Sequence, residues 1–175
     1  KVPLFPGVFG IFGHGNVACL GQALQENQKE LPTWRGHHEQ NMALTGIAYS
    51  RAKRRKQIFI ATSSVGPGST NMITAAAVAL ADAGIPMRDL IVGVASGKIE
   101  DTVVLDLDKA EDNYGQADLP MGILPTTGEI AFLQMDGDLS VEEYNTCMEY
   151  NMKAAKEIHE LMVDALKRRY IEKNG

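Results

Sequence analysis

Residues 58–89 read IFIATSSVGPGSTNMITAAAVALADAGIPMRD, and the order of their parts decides the fold. An apolar run rich in β-branched residues is followed by a glycine-rich loop, then by a long stretch of small helix formers closed at Gly84. That is the pattern of a strand, a loop and a helix, with Gly84 in the usual position after a helix C-terminus. The strand is expected to be buried. The helix is expected from Thr70 to Ala83, with Ser69 or Thr70 as its N-cap.

Upstream, Val8–Phe12 reads as a short strand. Val17, Leu20, Leu24 and Leu31 recur at helical spacing until Pro32 stops them, and a further helix is expected over His38–Arg54 with Met42, Ile47 and Ala48 inward. The basic run RAKRRK at its end suits the negative pole of the helix dipole. The first part of the chain therefore reads β-α-α-β-α. Downstream the rhythm changes. DLIVGVASG, TVVLDLD, ADLPMGILP and EIAFLQMDG are four short strand candidates with brief connections, and Thr126-Thr127-Gly128 marks a hairpin turn. A last helix is expected from Val141 to about Tyr170. Ser140 and Glu143 form a capping box at its start, and Val141, Tyr144, Met148, Ala155, Ile158, Met162 and Leu166 form one apolar stripe. The fold class is α/β: a mixed sheet whose C-terminal strands are mainly antiparallel, with helices packed on it and a long C-terminal helix.

With 175 residues, 45% hydrophobic and 22% charged, the chain has the composition of one globular domain with a real core. No apolar run is long enough to span a bilayer. Pro3, Pro6 and four glycines interrupt the opening apolar run, so a cytoplasmic-type soluble protein with no membrane partner is expected. Cys19 and Cys147 stand singly and are expected as small buried hydrophobes. Charge divides unevenly: residues 1–80 carry eight Lys/Arg against three Asp/Glu, and residues 81–175 carry nine against nineteen. Such a split can mark a nucleic-acid face beside an acidic one, or two segments of different ancestry.

Three blocks favour the second. VPLFPGVFGIFGHGNVACLGQAL, LPTWRGHHEQNMALTGIAY and QIFIATSSVGPGSTNMITAAAVA resemble, in order, the start of the thiamine-diphosphate-dependent trihydroxycyclohexanedione hydrolases of inositol catabolism, over residues 1 to about 78. The resemblance implies that Glu39, in RGHHEQ, is the carboxylate that binds the cofactor's aminopyrimidine ring. From about residue 74 to 175 the chain resembles another family, the catalytic RNase PH-like subunit of the archaeal exosome. The blocks are TAAAVALADAGIPMRDLIVGVASGK, VVLDLDKAEDNYGQADLPMGILP and EIAFLQMDGDLSVEEYN. In that family phosphate attacks the 3′ end of RNA, and the likeness places the two catalytic acids on Asp112 and Asp118, which could also hold Mg or Mn.

The two likenesses cross between about Asn71 and Leu80, inside one helix. A single merged domain is expected, with residues 1–78 from the first family and 79–175 from the second. The reading is of a recombinant or designed chimera without native catalysis and without a native compartment. Residual phosphate-dependent 3′–5′ exoribonuclease activity, and a thiamine-diphosphate-dependent hydrolase or binder, are the alternatives. No resident cofactor is expected, because no G-D-G segment followed by an asparagine is present to clamp thiamine diphosphate. Gly66, Gly68, Ser69 and Thr70 form a candidate anion loop for phosphate or sulfate, lacking a lysine or arginine. RNA is not counted among the expected partners, and a homo-oligomer is. No metal spacing links His37, His38 and His159, which are expected at helix surfaces or ends; His14 is expected in a loop.

Overall fold

The structure, a computed structural model, describes residues 2–13, 15–107 and 109–171, and for residues 109, 110 and 169–171 the backbone alone. His14 lies outside the described residues.

The chain is α/β, and its strands form two sheets. The first is parallel, in the order β2-β1-β3, built from β1 (Val8–Gly10), β2 (Thr33–Arg35) and β3 (Ile60–Thr62). Between β1 and β2 runs a π-helical turn, Val17–Gly21, continuing into α1 (Gln22–Glu26); α2 (Glu39–Ala52) joins β2 to β3. The helix expected up to Leu31 is thus shorter and partly π-helical. β2 was not anticipated: three residues headed by a proline carry too little pattern to register. The strand around residues 57–64 is also shorter and less buried than its apolar run suggests. β3 is an edge strand of a three-stranded sheet, which leaves Ile58 and Ile60 each 39% exposed. On one face of this sheet Phe9 and Phe59 stack with ring centroids 4.5 Å apart, Tyr49 from α2 meets Phe59 edge-on, and Trp34 leans on both rings. Met42 is buried as expected, whereas Ala48 is exposed.

The second sheet is antiparallel throughout, in the order β5-β4-β6-β7, with the short β8 also paired to β6. Its strands are β4 (Val92–Ile99), β5 (Thr102–Leu105), β6 (Ala117–Leu124), β7 (Glu129–Leu133) and β8 (Asp136–Gly137). A short helix, α4 (Lys109–Tyr114), stands between β5 and β6, where the sequence suggested only a brief connection. The hairpin at residues 126–128 is present, with Gly128 at φ +75°. The last helix, α5 (Val141–Ile171), starts with the expected capping box. The Glu143 N–H donates to Ser140 Oγ, and the Ser140 N–H donates to the Glu143 carboxylate at 2.8 Å. Of its expected stripe Ala155 and Met162 are buried, Tyr144, Met148 and Ile158 are half-buried against the core, and Val141 is exposed; Cys147 and Asn151, outside that stripe, are buried with them.

α3 (Pro67–Asp82) belongs to both halves. It packs on α2 on one side and on β4 and β6 on the other. It approaches β4 so closely that a Cβ on Gly93 would meet the Thr70 backbone, and the Gly93 N–H donates to Thr74 Oγ1 at 3.0 Å. Gly84 follows α3 at φ +76°. The main core combines Ala77 of α3, Val92 and Val94 of β4, Leu119, Met121 and Ile123 of β6, and Cys147, Ala155 and Met162 of α5. Cys147 is buried as expected and Cys19 is exposed, because it lies on the π-helical turn at the surface. Among the described residues no helix is long and apolar enough to cross a membrane.

Candidate functional site

All three strands of the parallel sheet run the same way, so the loops leaving β1, β2 and β3 gather at one end, where α/β folds of this kind place ligands. Asn16 fixes two of them. Its Oδ1 accepts from the Gly13 N–H at 2.9 Å, and its Nδ2 donates to the Ser63 carbonyl at 2.9 Å. Against this end lies the β5–α4 segment of the second half. Between them is a cavity of about 650 Å³, walled by Phe12, Val17 and Val65 and lined with polar groups that include Glu39, Asn71, Asp106 and Asp112. That volume falls in the ordinary range for a small-molecule site.

α3 begins in this cavity. Gly66, at φ +94°, is its N-cap and Pro67 its first residue, so the helix starts earlier than the expected Thr70. Neither Ser69 nor Thr70 caps it: both hydroxyls donate back to the Gly66 carbonyl, at 2.8 and 3.1 Å. Pro67 has no N–H and the Thr70 N–H donates to the Gly66 carbonyl at 3.3 Å, so the Gly68 and Ser69 N–H groups are the ones without a carbonyl a turn earlier, and Gly68 lines the cavity. Two carboxylates flank that turn. The Glu39 carboxylate, at the first residue of α2, lies directly where a Cβ on Gly68 would stand, and Asp112 Oδ1 is 3.7 Å from the same construction at Gly66. Glu39 and Asp112, read from different families, therefore meet on one helix end.

Asp118 stands beside this group on β6. Burial, then the negative charges of Asp112 and Asp136, push its carboxyl up to about 6. Asp136 faces it across the β6–β8 ladder. Sequence reading missed Asp136, because a two-residue strand leaves no pattern by which to pair it. It also missed His37, His38 and Phe12 as cavity residues, and for these no signal was available; both histidines were expected at a helix surface. His159 lies elsewhere, 3.6 Å from Asp89.

Residues 6–105, more than half of the chain, match the family described as thiamine pyrophosphate enzyme, N-terminal TPP binding domain. The chain belongs to that family. Residues 89–154 match a second one, the 3′ exoribonuclease family, domain 2, so that the two matches share residues 89–105. Relatives of the second part include exosome complex component Rrp41 of Thermoplasma volcanium, 52% identical over 98 residues, and that of Pyrococcus horikoshii, 52% identical over 100. The matched regions cover 56% and 57% of this chain and 40% of each relative, so the chain spans about two fifths of their length. The crystal structure of rice Rrp46 superposes with a TM-score of 0.56 at 21% identity, covering 93% of this chain and 73% of that one. At that identity the likeness is one of fold, and it supports an RNase PH-like α/β architecture.

The thiamine family implies a diphosphate-bearing cofactor. Glu39 fits a pyrimidine ring. The other end of the cavity does not fit a magnesium diphosphate: among the described residues no Lys or Arg lines it and no group of three metal-ligating side chains occurs.

Proposed function

We propose that the chain carries the catalytic half of an RNase PH-type exoribonuclease, which removes 3′-terminal nucleotides with phosphate as the attacking group. The observation that carries this reading is the placement of Asp118, half-buried on β6 and opposite Asp136 across the β6–β8 ladder, where burial and the charges of Asp112 and Asp136 push its carboxyl up to about 6. In the reaction a phosphate oxygen attacks the terminal phosphorus, the bond to the 3′ oxygen of the preceding nucleotide breaks, and a nucleoside diphosphate leaves. Asp118 is the group suited to protonate that 3′ oxygen, since its raised carboxyl keeps a proton nearer neutral pH than an ordinary aspartate does. The Gly68 and Ser69 N–H groups of the first turn of α3 are the donors suited to the attacking phosphate, with Gly66, Gly68, Ser69 and Thr70 as the loop that presents them. Asp112, beside both, fits a divalent ion such as Mg or Mn.

The test is release of ADP from an adenine oligomer in the presence and absence of phosphate. Phosphate-dependent release that is lost in Asp118→Asn supports the assignment; release that survives in that variant refutes it. A second reading is favoured by the cavity lining, which among the described residues holds carboxylates and no Lys or Arg, whereas phosphate and RNA both bring negative charge. On that reading the chain is a chimera of two family segments, folded as one domain, with no native catalysis. No ADP release from a cooperatively folded sample decides for it. Self-association goes with either reading, because Leu133, Met135 and Ile130 are exposed on and beside the edge strand β7.

A further inference from the structure

We propose that a groove between α2, β3 and α3 receives the outer face of α5 from a second copy of the chain, so that the basic half of one molecule docks on the acidic half of the next. This surface lies away from the catalytic cavity, and its occupation does not depend on phosphorolysis.

Glu39 begins α2 in the cavity; the groove lies toward the other end of that helix. Its volume is about 250 Å³, and its lining is largely aliphatic and aromatic: Ile47 of α2, Ala79 of α3, and Ile58 and Phe59 at the start of β3. β3 is the last strand of its sheet, and Ile58 is left 39% exposed. Arg51 and Arg55 stand in the same groove. Arg51 is ion-paired with Asp82, which ties α2 to α3. Five of the six residues 51–56 are cations, and all of these are exposed. The dipole of α2 accounts for Arg51 in its last turn, but the effect fades beyond the helix end, and Lys53 to Lys56 lie past Ala52. Among the described residues neither Arg54 nor Arg55 is ion-paired.

The complement is on the same chain. Tyr150, Glu157, Leu161 and Asp164 fall within about 60° of one another around α5, at 100° per residue. All four are exposed, Leu161 by 68%. Glu157 and Asp164 bracket Leu161 about 10 Å apart along the helix axis. The α2 wall of the groove, from Ala43 to Arg51, is about 12 Å long, room for two helical turns. Leu161 is therefore suited to the aliphatic lining, with its flanking carboxylates against the cations. An RNA strand would satisfy the cations and leave the aliphatic lining unmatched. The contact is heterologous, groove against helix, so it continues from molecule to molecule into a chain or a ring.

The experiment is sedimentation velocity of the full chain across protein concentration and salt. Reversible association that weakens as salt rises is expected. Pairing through the apolar edge strand β7 would instead be indifferent to salt or strengthened by it, and that result would overturn the proposal. Arg55→Glu spoils only the groove and Leu161→Ser only the helix face. Each variant alone is expected to self-associate about tenfold more weakly or less than that. Mixed, the two still hold one intact groove and one intact helix face, and a one-to-one complex is expected. Leu161 is exposed, so Leu161→Ser should keep the circular dichroism melt of the wild type and serves should Arg55→Glu not fold. A monomer up to about millimolar concentration, association unchanged in both variants, or no complex in the mixture would each overturn the proposal. So would capture of an adenine oligomer that is lost in Arg55→Glu while self-association in that variant is unchanged, which would assign the cations to RNA.

Discussion

Replacing Asp118 with asparagine removes a charge that the fold holds at a cost. The carboxyl is driven from its ordinary 3.8 up to about 6 by burial and by Asp112 and Asp136. A displacement of that size corresponds to about 3 kcal/mol between the protonation states. Because the side chain is only partly enclosed, water screens it, and about 1–2 kcal/mol is the working figure. The sign follows from linkage. A folded value above the unfolded one means that the folded state binds the extra proton, so stability falls as pH rises from about 4 to about 6 and then levels off. Asp118→Asn should therefore match the wild type near pH 4 and exceed it by about 1–2 kcal/mol above pH 7. Urea unfolding followed by far-UV circular dichroism across this range measures the difference. A variant less stable than the wild type at neutral pH, or a gap that does not change with pH, would refute the electrostatic account. The same variant is expected to lose phosphate-dependent ADP release, a trade of stability against activity that an ordinary packing position would not show.

Two further substitutions probe how the halves are held. Gly93→Ala places a Cβ against the Thr70 carbonyl carbon at 2.8 Å, where backbone cannot yield; a loss of about 3 kcal/mol is expected in urea unfolding, and no loss would mean that α3 moves easily on β4. Asp89→Asn keeps the oxygen that accepts from the Thr126 hydroxyl and the Leu90 N–H but puts an amide NH2 where the other oxygen accepts from the Thr126 N–H, and it removes the charge from all three contacts, at an expected cost of about 1–3 kcal/mol at neutral pH. Burial by itself would raise the Asp89 carboxyl, but these donors and His159 hold it below its ordinary value. Its stabilisation is accordingly complete above about pH 4 and disappears as pH falls through the lowered value, so wild type and variant should converge in acid.

Much of the fold was legible because long elements carry their own pattern. The capping box of Ser140 and Glu143 and the four apolar runs of the second sheet arise from local spacing and stand where expected, and the stripe of α5 does so from Tyr144 onward, with Val141 exposed. What escaped was short or was decided across the chain. β2 and β8 have three and two residues and exist because neighbouring strands offer them a ladder. The cap of α3 escaped for another reason. Ser69 and Thr70 are good N-cap residues, but Gly66 at positive φ and Pro67 start the helix a turn earlier and leave both hydroxyls inside it. The candidate site was half legible. Glu39, Asp112 and Asp118 were named from family likeness, yet nothing in the sequence indicated that Glu39 and Asp112 would meet, since 73 positions separate them.

The helix they meet on turns small residues inward: Thr70, Thr74, Ala75 and Ala77 are its buried side chains beyond Pro67. Such a surface is nearly smooth, and a smooth surface is indifferent to the shape of what rests on it. Leucines or phenylalanines there would act as keys, each demanding a matching notch from α2 or from β4. Alanines and threonines demand only closeness. α3 therefore works as an interchangeable joint, able to receive different scaffolds on its two sides without compensating changes in either. The same indifference limits what it can transmit: a helix with no keys can hold two sheets together, but it relays little of one sheet's rearrangement to the other.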